Sequence, residues 1–592
     1  MATHQPAFPQ QETIRRRLPV VIVGLILASM VLLGRLASFQ FQIGMSQETL
    51  DYLTGLRDTS YRRPLVLAAA RGNIYDRNGE SLAVNTLEYQ VSVNPPFVAN
   101  PRELATRLSA ILGLPELEVF EKVQSDQAWV LIAPRVSAEV GQRVAQLREE
   151  MNIGDAIQMN PIPRRSYPQG VLASQVIGFV GGDFQGYYGI EGEYQSHLAG
   201  VERNRQVSNI PFEALEAADW SADRGSDLVL TIDRDIQYVV QEELLRAISE
   251  TGATQGCIIV MDPRNGDVLA MASHPLFDPN TYFNIEDPSV LRNQCISSNY
   301  EPGSVMKVIT MAAALDRGVI TPDFTYTDQG LLEYGGVPIR NWNRAAYGST
   351  DATGILVNSL NVGAATISTM MGNDAFYAEL SEFGFGRLTG IDLQGEEAGI
   401  VYTPGDPEWS EANLATNSFG QGISVTPLQM LTAVNAIANN GLMMQPRVVH
   451  QIIDDGNVIT AQPSALGRPI SAEVAQTVSQ MMVEVVRGGL DNAAGVPGFT
   501  VAGKTGTAEI PTPIGYEQGA SITTFVGFLP ADAPQISILI RLDRPRDYWA
   551  SAVVPPVFQR LASRLVILMS IPPDDVRYEL VNQGGAVSYI AR

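Results

Sequence analysis

At 592 residues the chain is longer than one hydrophobic core supports, roughly 250–300 residues, so more than one domain is expected. An apolar content of 45% excludes a largely disordered chain. The formal net charge of −23 argues against a nucleic-acid partner, because neutralising phosphates takes clustered Lys and Arg; the acidity reads as solubility.

Residues 1–17 are polar and end in Arg15-Arg16-Arg17, a tail expected in the cytoplasm. Leu18 to Gly34 carries no charge, and with the residues that follow it reads as one transmembrane helix over 18–40, long enough for a bilayer core of about 30 Å. Its apolar run is long for a cleaved signal peptide and the small-residue cleavage pattern is poor, so an uncleaved single-pass anchor is expected. The Arg triplet then places the rest of the chain outside the cytoplasm.

Residues 41–226 mix strand-like runs with polar and Pro-rich stretches. Val91-Ser92-Val93-Asn94-Pro95-Pro96 reads as a short strand that stops at the prolines. Residues 101–150 read as helical, with a second amphipathic stretch at 137–150. No hydrophobic core dominates, so this region is expected to be an extended, modular pedestal.

The pattern changes at Asp227. Strands are expected at Asp227–Ile232, Gly256–Val260, Val268–Ala272, Ile522–Phe528 and Ile536–Leu542, with Gly266-Asp267 as a hairpin turn. Helices fall at Ile236–Ile248, 304–317, 353–371 and 426–440. Residues 227–575 therefore read as an α+β domain, an antiparallel sheet with a helical subdomain, followed by a tail at 576–592.

Cys257 and Cys295 can form at most one disulfide; the apolar run around Cys257 favours a buried free thiol over a reactive one. Four histidines lie in no motif. Lysine is more telling: of 40 basic residues only Lys122, Lys307 and Lys504 are lysine. Arg cannot give up its proton in a protein, whereas a desolvated Lys can act as a base.

In Glu301-Pro302-Gly303-Ser304-Val305-Met306-Lys307, Pro-Gly marks a turn feeding a helix that ends near Arg317-Gly318. Ser304 then lies at a helix N-terminus and Lys307 shares its face, placed to take the hydroxyl proton. Ser359-Leu360-Asn361 offers a second hydroxyl and an amide. Lys504-Thr505-Gly506-Thr507 follows a strand-like run, with Gly506 read as admitting a substrate backbone and the threonines as carboxylate donors. These three pieces lie 55 and 145 residues apart, in the order S-x-x-K, S-x-N, K-T-G.

That ordered triplet resembles the class B penicillin-binding proteins, the monofunctional transpeptidases of cell-wall synthesis. Arg71–Gly79, Gly189-Ile190-Glu191, Leu230–Asp233, Gly266–Met271, Thr389–Leu393 and Gly420–Pro427 are similar to further motifs of the family. Gln175 stands where the family often has His, and Val305-Met306 replaces Thr-Phe. The resemblance implies that Ser304 attacks the penultimate D-Ala carbonyl of a peptidoglycan stem peptide (the D-Ala-D-Ala donor), and that β-lactam antibiotics acylate it. It further implies Lys307 as base, Ser359 and Lys504 as proton relay, and Asn361 as holder of the substrate amide. Backbone N–H groups of Ser304 and Thr507 would meet the oxyanion, with Thr505, Gly506 and Thr507 binding the donor. No metal or organic cofactor is implied.

Rival readings are a β-lactam sensor, a carboxypeptidase or β-lactamase-type hydrolase, and a scaffold without activity. A secreted hydrolase needs neither an anchor nor a pedestal, and a scaffold need not keep every motif residue. The stretch after Ser418 is closer to the division type than to the elongation type. The long pedestal joined to a membrane span suggests a polytopic glycan polymerase as a partner. Lys122 reads as a helix surface charge; Arg541, Arg544 and Arg546 read as a solvated basic loop. The glycines from Gly384 to Gly390 miss dinucleotide-binding spacing and read as a loop.

Overall fold

The computed structural model describes residues 10–41, 62–67, 69–154, 156–200, 203–208, 224–489, 491–513 and 515–582. Two compact units separate. One holds helix α1 (Gln10–Phe41) and an antiparallel pair, Arg62–Leu67 with Arg203–Ser208. Within α1 the 20-residue stretch Leu18–Ala37 is apolar apart from Ser29 and Arg35 and is exposed, and at 1.5 Å per residue it spans about 30 Å. Pro19 and Arg35 do not interrupt the helix.

The other unit begins with β1 (Ile74–Tyr75) and β2 (Ser81–Val93), then α2 (Pro101–Leu112), α3 (Glu116–Val123), β3 (Val130–Ser137), α4 (Ala138–Glu150) and β4 (Ile157–Ser166). Helix α2 starts where Asn100 accepts from the Glu103 N–H and stops at Gly113, φ +68°. Three expectations need correction here. The strand after residue 80 runs for 13 residues, because both its edges are paired, to β3 and to β4. The supposedly helical stretch contains β3, whose apolar run Val130–Ala133 is too short to show a period. And 91–157 has a core of its own, with Val91, Leu104, Leu108, Val119, Ile132, Val144 and Ile157 buried together. Lys122 pairs with Glu118 on the surface of α3, as expected.

Strand β5 (Asp227–Leu230) pairs in parallel with β1, and β8 (Val449–Asp454) and β9 (Asn457–Thr460) extend the same sheet in the order β9-β8-β5-β1-β2-β3, with β4 on β2. Between β5 and β8 come α5 (Arg234–Thr251), β6 (Gln255–Met261), β7 (Val268–His274), α6 (Met306–Asp316), α7 (Asn361–Glu382) and α8 (Pro427–Ala438). After β9 come α9 (Ala472–Gly488), β10 (Ala502–Thr512), β11 (Gly515–Leu529), β12 (Ile536–Asp543) and α10 (Ala550–Leu568). Strands β7-β6-β12-β11-β10 form the second sheet, antiparallel throughout.

This sheet is buried on both faces, so its strands read as unbroken apolar runs. Ile258, Val260, Ile538 and Ile540 face α5 and α10, meeting Val240, Leu244, Phe558 and Leu561. Cys257, Ile259, Met261 and Leu539 face the helical subdomain with Val308, Ile309, Leu431 and Met482. Helix α10 is as long and apolar as a membrane span, yet half of it is buried against this sheet. Cys257 and Cys295 form a disulfide, which corrects the free-thiol expectation: β6 is tied to the short helix Gln294–Ser297. Gln175 is buried and donates to Pro275 O (2.7 Å) and Val290 O (3.2 Å).

The basic cluster is also corrected. Arg541 and Asp543 are buried in β12 and clasp each other through both guanidinium arms, while Arg541 lies over the Tyr300 ring at 4.8 Å. Arg544 pairs with Glu517 at the surface, and Arg546 donates to Thr251 O. Alternation along β12 puts Arg541 inside; a run of polar letters is a poor guide where opposite charges sit two apart on one face.

Candidate active site

Ser304 sits in the tight turn Gly303–Val305 that feeds α6, and Lys307 lies one turn along. Lys307 Nζ is 2.9 Å from Ser304 Oγ, and it also reaches Ser359 O (2.7 Å) and Ser359 Oγ (3.1 Å). Ser359 belongs to a break between Ala352–Val357 and α7, where its φ of +54° turns both its oxygens toward Lys307. Both serines are therefore brought to Lys307, although the resemblance implied Lys504 as the partner of Ser359.

Lys307 is 1% exposed. Burial first, and the nearby charge of Lys504 second, hold its ammonium well below the usual lysine range. A neutral amine within hydrogen-bond reach of a serine hydroxyl can accept its proton. Lys504, equally buried, is pushed down by burial and partly restored by the Asp491 carboxylate 3.7 Å away. Its Nζ donates to Thr505 O (3.2 Å) and bonds neither Ser304 nor Ser359.

Strand β10 is the edge of the sheet facing Ser304. Thr505 N–H donates to Asp491 rather than to β11, so by alternation Thr507 N–H points out of the same edge. The Thr505 hydroxyl donates to Asp491 (2.7 Å), whereas the Thr507 hydroxyl accepts from Ala550 N–H (2.9 Å) and keeps its own hydrogen. Gly506 also has a close neighbour within the chain: a Cβ there would lie 2.5 Å from Pro302 O, so glycine lets the strand press on the turn that carries Ser304. Gly303, at φ +56°, would likewise strike Thr507 O.

The loop from Ser418 to Thr426 clamps that turn from the other side. Gly303 N–H donates to Gly420 O (3.1 Å), Tyr300 and Val425 exchange two backbone bonds, and Gly422 N–H donates to Glu301 (2.9 Å). Around Ser304 opens a cleft of about 600 Å³. Ser359, Asn361, Thr505 and Thr507 line it, and Trp342 and Trp549 meet edge to face across one side at 5.4 Å. Asn361 donates to Arg340 O (3.0 Å), which fixes its amide at the rim.

Two family descriptions match the chain: the penicillin binding protein transpeptidase domain over residues 256–563, and the penicillin-binding protein dimerisation domain over residues 66–228. The chain belongs to the penicillin-binding proteins. Among similar proteins, stage V sporulation protein D of Bacillus subtilis is 33% identical, covering 90% of this chain and 82% of that protein. Penicillin-binding protein PbpB of Mycobacterium tuberculosis is 32% identical, over 86% and 79%. Peptidoglycan D,D-transpeptidase FtsI of Escherichia coli is 28% identical, over 95% and 94%. The crystal structure of penicillin binding protein 3 from Mycobacterium tuberculosis, complexed with aztreonam, aligns with a TM-score of 0.66 and 30% identity, covering 86% of this chain and 98% of that one.

This is a class B penicillin-binding protein, a serine-type peptidoglycan D,D-transpeptidase. Its sequence hid four site residues. Asp491, fully buried, supports β10 from outside any motif, and Glu301 accepts from Tyr516 OH (3.2 Å) beneath the turn. Trp342 and Trp549 are far apart in sequence; aromatic residues in polar stretches were the available sign.

Proposed function

We propose that Ser304 is the nucleophile that cross-links peptidoglycan stem peptides, and that β-lactams trap it as an acyl-enzyme. The observation that carries this reading is the buried Lys307 amine held between Ser304 Oγ and Ser359. Lys307 takes the Ser304 proton as Oγ attacks the penultimate D-Ala carbonyl. Ser359 and Lys504 deliver a proton to the leaving D-Ala amine. The N–H groups of Ser304 and Thr507 receive the oxyanion, a term worth about 3–4 kcal/mol per donor. Asn361 holds the donor amide, and Thr507, with Thr505 and Gly506 beside it, meets the donor carboxylate.

The test is mass spectrometry of the ectodomain after exposure to penicillin. The adduct is expected on a Ser304 peptide and should persist for many minutes. An adduct elsewhere, or clearance at the rate of a β-lactamase, overturns the assignment.

The same reading has residues 41–226 as a pedestal and 227–575 as the catalytic domain, with α1 crossing the membrane once and its N-terminus in the cytoplasm, from the Arg15–Arg17 triplet. A division role is supported by the Ser418–Pro427 stretch. The pedestal and anchor would bind a polytopic glycan polymerase; co-purification from detergent should lose that partner when residues 1–226 are exchanged for an unrelated anchor.

A further inference from the structure

Among the described residues lining the cleft, one side chain is charged: Glu509. It lies on β10 two residues beyond Thr507, so its side chain shares the face of Thr505 and Thr507, about 6–7 Å further along the strand. The register to β11 is regular from Ala502 to Glu509, which fixes that placement. Glu509 is only partly exposed, and its hydrogen bond is a long one from a neutral amide, Gln421 Nε2 at 3.4 Å. No described Arg or Lys forms an ion pair with it, in a chain with 37 arginines. The neighbouring Glu301 is committed elsewhere, to Gly422 N–H and Tyr516 OH. A partly exposed carboxylate with no cation beside it, in the wall of that cleft, is free to take one from outside the chain.

We propose that Glu509 recognises the acceptor of the cross-link as a primary ammonium group and orients it toward the acyl-enzyme; this rests on the transpeptidase reading above. The ammonium gives one proton to the Glu509 carboxylate. The freed amine attacks the ester carbonyl, the C–N bond forms, and the bond from that carbon to Ser304 Oγ breaks. The second amine proton passes to Ser304 Oγ through Lys307, and Glu509 returns its proton to water.

The measurement is the partition of a single acyl-enzyme, made from a thioester donor peptide, between water, an added diamino acid and added methanol. This ratio depends on steps after acylation. In Glu509→Gln, aminolysis relative to hydrolysis should fall about tenfold, while methanolysis relative to hydrolysis holds; Glu509→Asp should recover part of the loss. A penicillin adduct on Ser304 shows that each variant is folded. If aminolysis holds its parental share in Glu509→Gln, or if methanolysis falls equally, the assignment is wrong. If the parent forms no acyl-enzyme at all, the transpeptidase reading fails and this assignment with it.

Discussion

Asp491 holds Thr505 by both carboxylate oxygens, Oδ2 accepting its backbone N–H at 2.9 Å and Oδ1 its hydroxyl at 2.7 Å. The same carboxylate faces Lys504 at 3.7 Å, with neither group more than 1% exposed. One buried anion thus fixes the edge of β10 that lines the cleft and balances the lysine beside it. Asp491→Ala removes the counter-charge and two acceptors, and should cost about 3–5 kcal/mol of stability. Asp491→Asn keeps part of the hydrogen bonding and should lose less stability. Both should slow β-lactam acylation. Thermal melts and acylation rates check this; parental values for Asp491→Ala would show that the carboxylate supports neither the strand nor Lys504.

The scarcity of lysine supplies a second set of variants. Lys122→Arg should leave acylation untouched, because Lys122 only pairs with Glu118 at the surface. Lys307→Arg should slow acylation by about 10²–10⁴, since guanidinium cannot accept the Ser304 proton. Full burial also makes Arg too large for the site, at about 1–3 kcal/mol. Lys307→Met avoids that strain and should be equally inactive while melting no lower than the parent. Near-parental acylation by either Lys307 variant would remove Lys307 as the base.

The depressed proton affinity of Lys307 has a defined pH signature. Its folded pKa lies below the unfolded lysine value, so between the two the native state binds fewer protons and stability rises with pH. Below the folded pKa the full penalty of the buried ammonium applies. Lys307→Met should therefore gain most over the parent on the acid side. Acylation should climb with pH and level off well below pH 10. A limb that levels only near pH 10 would mean an ordinary lysine.

Non-reducing peptide mapping should find Cys257 joined to Cys295, closing a loop of 38 residues. Replacing both with Ala should lower stability by about 3 kcal/mol, chiefly by freeing the unfolded chain. Two free thiols in the native protein, or an unchanged melt, would contradict the pairing.

The ordered triplet made Ser304, Lys307, Ser359 and Lys504 legible as one site, because chemistry ties those residue types to short fixed spacings. Helices α6 and α8 and strands β6, β7, β11 and β12 were legible from apolar runs bounded by turns. Asp491 was not: it acts across a gap of 14 residues, as an ordinary acidic letter in a loop. The pairing of Cys257 with Cys295 needed the packing of the 294–297 helix on β6, which no spacing conveys. Arg541 misled because its counter-charge lies on its own strand. The contact of Gly506 with Pro302 was not legible either, because no spacing shows that those two segments meet.

That contact between β10 and the turn that carries Ser304 bears on how such an enzyme can change under antibiotic pressure. Gly303 and Gly506 each fill a space where one added methyl group would meet backbone from the other segment. Backbone cannot retreat as a side chain can, so substitutions at these positions displace Ser304 for natural substrate and drug alike. Discrimination between the two is expected instead in the cleft wall, where the rings of Trp342, Tyr548 and Trp549 pack on one another and can be exchanged without moving that turn.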